Sequence, residues 1–494
     1  MVTPIASAPD LTIAGSSTLA RRGSPGARAA AAASLAASTI TDWLPLDRLG
    51  SFVRDLPGEV LELGDRLADR HLRLAVTGLR RSGKTVFTTA LVHHLLDGHD
   101  LAFVAAVHED RYRGARLLPV RGPAFPYAVF RRELMADRPT WPEATDRLTV
   151  LRLELRFKAT GFVQRWMAPT GSLILEIVDY PGEWLLDLPL LEMDYAAFAE
   201  MASSRDRAGP RASVAGEWRD ALSGLGPSTS PDDLVDVYRR YLGRVQNELG
   251  LSLVQPGRLV TAGADPRTGF TPLPQTAPAA LRSAMAGRFE LYRRRVVEPF
   301  YTDHFSRFDR QIVLVDLFHT LNRGRAHFAD SRDALETILE SFRYGTNSLL
   351  ARLFRPSIEK LLFAASKADH VAANQHANLK QLLELMIAPA RRKARFAGLE
   401  TDVLALAALR ATDTVRTEHQ GQLLSCVRGR LIDGDRETVL FPGEIPGDLP
   451  DDEDWRSGRF RFQDFAPRRL EPGIKGQHLR LDQAIEFLIG DKLR

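Results

Sequence analysis

The chain has 494 residues, 44% of them hydrophobic and 26% charged, which is enough length for roughly two to four ordinary domains and enough apolar content for a buried core. Its one cysteine, Cys426, excludes a disulfide framework and any multi-cysteine zinc site, and its formal net charge of +4 is too small to mark a nucleic-acid binder. No window reaches about 18 consecutive apolar residues, so no transmembrane helix is expected. The 66 basic residues divide into 58 Arg and only 8 Lys, so each lysine inside a motif is unusually informative.

Residues 1–40 are rich in Ala, Ser, Arg and Pro and lack a compact apolar segment near the start, so they read as a disordered tail and not as a secretory signal. His71–Thr77 is a strand candidate ending at Gly78. Val86–Asp97 has helical periodicity, with Phe87, Leu91 and Leu95 on one face and Gly98 as its stop. The Arg- and Pro-rich stretch from His108 to Leu148 reads as irregular with short helices. Val150–Phe157 alternates apolar and polar residues, Leu173–Val178 is continuously apolar, and Pro169-Thr-Gly171 lies between them; together they predict an antiparallel hairpin.

Residues 184–310 read as a long insertion, helical around Glu192–Met201 and Ala279–Phe305, with Gly/Pro/Ser-rich loops such as Gly224–Pro231 in its middle. Gln311–Asp316, Leu361–Ala365 and Val403–Ala408 are further buried strands. Asp330 or Ser331 is expected to cap a helix carrying Leu335, Ile338, Leu339 and Phe342. Leu481–Ile489 is a final helix stopped by Gly490. This alternation predicts an α/β, doubly wound sheet with its ligand at the carboxyl ends of the strands. The expected organisation is a tail (1–40), a main α/β domain (41–183 with 311–415), a mainly helical insertion (184–310) and a C-terminal extension (416–494) packed on the α/β domain.

Gly78-Leu-Arg-Arg-Ser-Gly83-Lys84-Thr85 matches G-x-x-x-x-G-K-[ST] between a strand and a helix, the setting that motif requires. Gly78 and Gly83 let the backbone turn so that successive N–H groups, from Arg80, Arg81 and Ser82 to Val86, face an anion at a helix N-terminus. Lys84 reaches the outer phosphates and the Thr85 hydroxyl takes Mg2+. Composition alone gives roughly 0.004 chance matches in a chain of this length, so the motif is taken as functional.

Asp179-Tyr-Pro-Gly182-Glu183 follows directly on a buried strand. Asp179 is placed to hold the magnesium shell, and the Gly182 N–H to sense a γ-phosphate. Ser366-Lys367-Ala-Asp369 ends the strand 361–365. A carboxylate at Asp369 can accept from N1–H and N2–H2 of guanine, a donor pair adenine lacks, while the Lys367 stem lies across the base. The loop Ala407–Thr412 after the last strand resembles, by its place, the loop with which GTPases touch the guanine O6.

In chain order these are a phosphate loop, a hairpin, D-x-x-G, a long insert, a strand, S-K-x-D and a strand, which resembles the GTPase branch of P-loop NTPases. More closely, the chain is similar to the YcjX-like family of bacterial P-loop proteins. The residues that carry the similarity are Gly78–Thr85, Phe125–Tyr127, Trp141–Thr145, Asp179–Trp184, Asp309–Asp316, Ser366–His370 and Leu481–Leu493. The resemblance implies a stress-associated, nucleotide-binding cytoplasmic protein, peripheral at the inner membrane where its partner is a membrane protein.

A GTPase of this kind needs a switch threonine before the first hairpin strand; Thr145 is the candidate and Thr149 the runner-up, each also readable as a helix cap. Glu183 stands where many GTPases have a water-orienting Gln; a carboxylate can orient water but repels the phosphate. The loop Gly78-Leu-Arg-Arg81 resembles that of guanylate-binding proteins, whose loop arginine acts as a finger in cis. Lys84, Arg81 and Glu183 are therefore the candidate catalytic residues, and the bland alternative for Arg81 is a solvent-facing side chain. The twelve histidines are expected to form no metal constellation, and the adjacent His93 and His94 point different ways on a helix. The expectation is a Mg2+-dependent GTPase that binds GTP and GDP and switches an interaction with a protein partner or a nucleotide-dependent dimer. The alternatives are an ATPase on the same fold or a non-hydrolysing, GTP-dependent binding module.

Overall fold

The computed structural model describes residues 71–143, 147–158, 170–207, 209–260, 265–341, 358–396 and 398–494. The expected tail, residues 41–70, Thr145 and Phe342 lie outside them.

Seven strands make the main sheet: β1 (His71–Gly78), β2 (Tyr112–Leu118), β3 (Thr149–Lys158), β4 (Thr170–Asp179), β5 (Arg310–Val315), β6 (Lys360–Ala365) and β7 (Glu400–Ala405). Their order is β2-β3-β4-β1-β5-β6-β7. β4, β1, β5, β6 and β7 run parallel, and β3 is antiparallel to both β4 and β2. The chain builds to one side of β1 first and then to the other, so the strand order reverses at β1, the position where open α/β sheets bind ligands.

Register turns this order into a site. Val76 lies opposite Asp179, Gly78 opposite Leu314, Val315 opposite Ala365, and Ala365 opposite Ala405. The carboxyl ends of five strands therefore come level at one edge.

Period-two alternation puts the strands' side chains on two faces. Leu72, Leu74, Val76, Ile312, Leu314 and Leu362 pack with Phe87, Leu91 and Leu95 of α1 (Lys84–Asp97), and with Leu481, Ile485 and Leu488 near the C-terminus. On the opposite face, Ala75, Val313, Val315 and Phe363 share one core with the helices of residues 184–310 and with Leu335, Ile338 and Leu383. The helices of the insertion thus bury their apolar surface against the sheet itself.

Three local expectations change. The stretch 108–148 holds a short helix as expected, α2 (Tyr127–Met135), and also an edge strand, β2, that was not expected and whose residues are half-exposed or exposed without clean alternation. In the insertion, α3 (Tyr195–Arg207) is followed by α4 (Pro231–Asn247), a 17-residue helix in the middle where loops were expected. The Ser230 side chain accepts from Asp233 N and Pro231 sits in the first turn, so the loop-like composition is the start signal of α4. α5 (Ala279–Tyr292) falls where a helix was expected. α6 (Arg325–Ser341) starts before Asp330, so neither Asp330 nor Ser331 is its cap. Asp330 instead accepts from the Ser252 and Leu253 amides and pairs with Arg211, within the insertion.

After α7 (His376–Phe396), the strands β8 (Thr412–His419), β9 (Gln422–Arg430) and β10 (Glu437–Leu440) make a separate antiparallel sheet. The expected boundary at 415/416 falls inside β8. The last helix, α8 (Leu481–Ile489), has its expected bounds. Among the described residues, no helix is long and apolar enough to cross a membrane.

Candidate functional site

The loop between β1 and α1 is shaped by its glycines. A side chain at Gly78 would place its Cβ 2.4 Å from the Leu314 carbonyl oxygen and 2.5 Å from Ser82 Oγ, and Gly83 has φ +84. Arg81 also takes a left-handed backbone, φ 63, which is uncommon for arginine. Lys84 Nζ donates to the Gly78 carbonyl at 3.3 Å, which holds its ammonium against the loop's own backbone. Thr85 is buried at the first turn of α1, and the buried Ser82 Oγ has no hydrogen-bond partner among the described residues.

The D-x-x-G segment lies directly behind the loop. Asp179 is 1% exposed at the end of β4, opposite Thr149 of β3. Thr149 is buried and its hydroxyl has no partner among the described residues. A Cβ at Gly182 would sit 2.3 Å from the Gly78 carbonyl oxygen, so the two motifs touch backbone to backbone and only glycine permits it.

A cavity of about 410 Å³ opens at the strand ends. It gathers Arg81, Ser82, Gly83, Lys84, Thr85 and Val86 at one end, and Ser366, Lys367 and Asp369 with Ala407, Ala408 and Leu409 at the other. Gly78, Arg80, Asp179, Gly182 and Glu183 do not line it. The Arg80 guanidinium instead turns outward, donating to Asn247 Oδ1 of α4 at 3.0 Å and facing Glu183 at 4.0 Å. The Arg80 side chain thus points away from the cavity, toward Glu183 and toward Asn247 of the insertion.

At the base end, Asp369 Oδ2 accepts from the amides of Ala411 (2.6 Å) and Thr412 (3.1 Å). Its Oδ1 has no hydrogen bond among the described residues. The Ser366 hydroxyl donates to the Val315 carbonyl at 3.2 Å, tying the motif to β5. Lys367 adopts φ 59, and its ammonium meets Asp316 at 2.6 Å and Asp464 at 3.5 Å. Burial opposes its charge, but Asp316 and then Asp464 outweigh burial and raise its pKa. Asp316 itself, although burial works against its charge, is held below the usual carboxylate range chiefly by Lys367.

The sequence motifs do not include several groups that line the same cavity: Trp141, Pro142, His370, Ile432, Asp464 and Phe465. Trp141 Nε1 donates to the Phe465 carbonyl at 2.8 Å across a separation of 324 residues. His370 stacks on Phe318 and meets the edge of Phe465; burial lowers its pKa. Trp141 and His370 appear in the family-like segments, but nothing in their local spacing points to a binding wall.

Compared with known proteins, residues 72–493 match the YcjX-like family, DUF463. The chain belongs to this family. The YcjX-like match takes in all the strands and helices described above except His71, the first residue of β1. A protein named "Ras-like GTPase YcjX" from Escherichia coli K12 is 42% identical over 468 residues, covering 90% of this chain and 100% of that protein. One of the same name from Shewanella oneidensis is 36% identical over 465 residues, covering 87% of this chain and 96% of that one. The doubly wound α/β architecture is that expected of a P-loop fold in such a YcjX-like protein.

Proposed function

We propose that this protein is a GTPase: it binds GTP and GDP with Mg2+ in the cavity at the carboxyl edge of the sheet and hydrolyses GTP slowly. The observation that carries the reading is the cavity itself. A single space joins the phosphate loop to Ser366, Lys367 and Asp369, and two backbone amides orient the Asp369 carboxylate. The names of its relatives support the same reading.

The residues suit the ligands. Gly83, Lys84, Thr85 and their neighbours offer N–H groups and a cation for phosphate at the start of a helix. Thr85 and Asp179 are the proposed Mg2+ holders, with Thr145 or the buried Thr149 completing the set. Bound Mg2+ would neutralise phosphate charge during hydrolysis. Asp369 is the proposed guanine reader, with Lys367 and Trp141 as apolar walls to the base. Arg81 is the proposed charge-stabilising arginine. Glu183, drawn toward Arg80, is proposed to act on the conformation of the D-x-x-G segment.

Nucleotide state is proposed to alter a partner surface through the insertion. The Gly182 backbone touches Gly78, and Glu183 packs against Gly257, where a Cβ would lie 2.6 Å from its carbonyl oxygen. This chain of close contacts supports coupling from the phosphates to residues 184–310.

Binding of labelled GDP and ADP, each with Mg2+, to wild type and Asp369→Asn tests the reading. GDP preference is expected, with the variant losing about 10- to 100-fold in GDP affinity, the worth of hydrogen bonds to a charged group. Preference for ADP, or indifference to the substitution, would move the protein to the ATPase side.

A further inference from the structure

The far end of α1 carries a cluster that the nucleotide site does not use. His94 in its last turn, Asp100 just beyond it, and His478 from the C-terminal segment bring one ligand atom each to within 4.8 Å of one another. The expectation that the histidines form no metal constellation did not foresee this grouping, whose members are far apart in sequence. His93 and His94 do diverge, but His94 meets two residues from other segments.

The site is built from the interior. His94 is 1% exposed and His478 9%. Both His94 Nε2 and His478 Nδ1 nevertheless lack a hydrogen-bond partner among the described residues. A buried polar atom left so costs about 1–3 kcal/mol, and two in one cluster call for a common ligand. The rings stand edge to face with centroids 4.9 Å apart.

The remaining groups are arranged as supports. His478 Nε2 lies 2.5 Å from the Asp100 carbonyl oxygen, which places the ring proton there and leaves the lone pair on Nδ1, the pattern of metal-binding histidines. Asp100 Oδ2 accepts from the amides of Gly476 (2.9 Å) and Gln477 (3.2 Å), and lies 3.6 Å from His478 Nε2. Burial, then His478 and His93, lowers the His94 pKa to about 3, which keeps its ring neutral.

We propose that His94, Asp100 and His478 bind one transition-metal cation of the zinc class, at a site distinct from the Mg2+ of the phosphate loop. Two imidazoles and a carboxylate suit Zn2+ with water as the fourth ligand; Mg2+ selects oxygen and does not favour such a set. Tetrahedral bonds of about 2.0–2.2 Å place ligand atoms about 3.4 Å apart, so binding contracts the cluster by about an ångström. The cation would clip α1 to the segment in which the Gln477 carbonyl accepts from Arg410 N and Leu479 pairs with Ala407. Those two residues flank the loop that lines the nucleotide cavity, so the clip would stiffen its base-side wall.

The test uses the full chain, stripped with a chelator and held in excess Mg2+. Zn2+ is titrated in competition with a chromophoric chelator, and Co2+ is followed by its visible absorption. One equivalent of Zn2+ and Co2+ bands are expected, with affinity at least tenfold weaker in His94→Gln and in His478→Gln. His99→Gln, which removes a nearby exposed imidazole, should leave the titration unchanged. Circular dichroism and GDP binding establish that the variants are folded. Absence of stoichiometric binding and of Co2+ bands in wild type overturns the proposal whether or not the variants fold. An unaltered titration in folded His94→Gln, or loss in His99→Gln, overturns it as well.

Discussion

Arg81 shows how a single residue's place decides its chemistry. The loop holds two consecutive arginines, and the fold sends them apart: Arg80 out to Asn247 and Glu183, Arg81 to the cavity wall with a left-handed backbone. Backbone strain of about 1–3 kcal/mol at a non-glycine residue persists where surrounding structure holds it, and functional loops are where such strain concentrates. Arg81→Ala is expected to lower single-turnover GTP hydrolysis by about 10³ with GTP affinity nearly unchanged. Unchanged phosphate release with unchanged affinity would make Arg81 a loop residue only. The spacing of the phosphate loop was readable because its glycines, lysine and threonine act within one turn of backbone. The opposed directions of Arg80 and Arg81 were not, because Asn247 is 167 residues away from Arg80.

At the scale of elements, the short helix Glu183–Leu186 and the insertion loop around Gly257 form a knot beside the D-x-x-G segment. Asp187 accepts from the amides of Gly257 (2.8 Å) and Arg258 (3.3 Å) and from the Tyr292 hydroxyl at 2.5 Å. The Arg258 guanidinium lies 3.6 Å over the half-buried Trp184 ring, a cation–π contact. Burial raises the Asp187 pKa from 3.8 to about 6 against these stabilising donors. The folded state thus holds this proton more tightly than the unfolded chain does. Its favourable contribution is complete below the unfolded pKa of 3.8 and is lost as pH rises through about 6. The stability of wild type relative to Asp187→Asn should therefore fall by about 3 kcal/mol between about pH 3 and pH 7 in denaturant titrations. A pH-independent difference would show that Asp187 does not titrate in this range. Strand existence was legible for β1, β3, β4, β5, β6 and β7, whose apolar runs or alternation match their burial. It was not legible for β2, an edge strand with half-exposed residues, nor for α4, whose N-terminal Ser-Pro signal also reads as a turn.

Across the whole molecule, the insertion and the sheet share one hydrophobic core, in which Ala75 and Val313 of the strands join Trp218, Tyr238 and Phe289 of the insertion. Under the proposed function, this shared core is the packed route by which a change at bound phosphates would reach the helices of the insertion. Limited proteolysis with GDP and with a non-hydrolysable GTP analogue is expected to give different cutting within residues 184–310. Identical patterns would remove the insertion as the element that reports nucleotide state.

The chain's sequence by itself determined the doubly wound α/β class, the phosphate loop, the D-x-x-G and S-K-x-D segments and the family, because each rests on short-range backbone geometry or on periodic burial. Tertiary structure alone decided the rest of the site. Trp141 and Phe465, 324 residues apart, close one wall of the cavity, and Asp464 joins Asp316 on Lys367. His478 reaches Asp100 across 378 residues and completes a cluster with His94. These pairs are set by how helices and loops pack against the sheet, and packing depends on surfaces that no local spacing encodes.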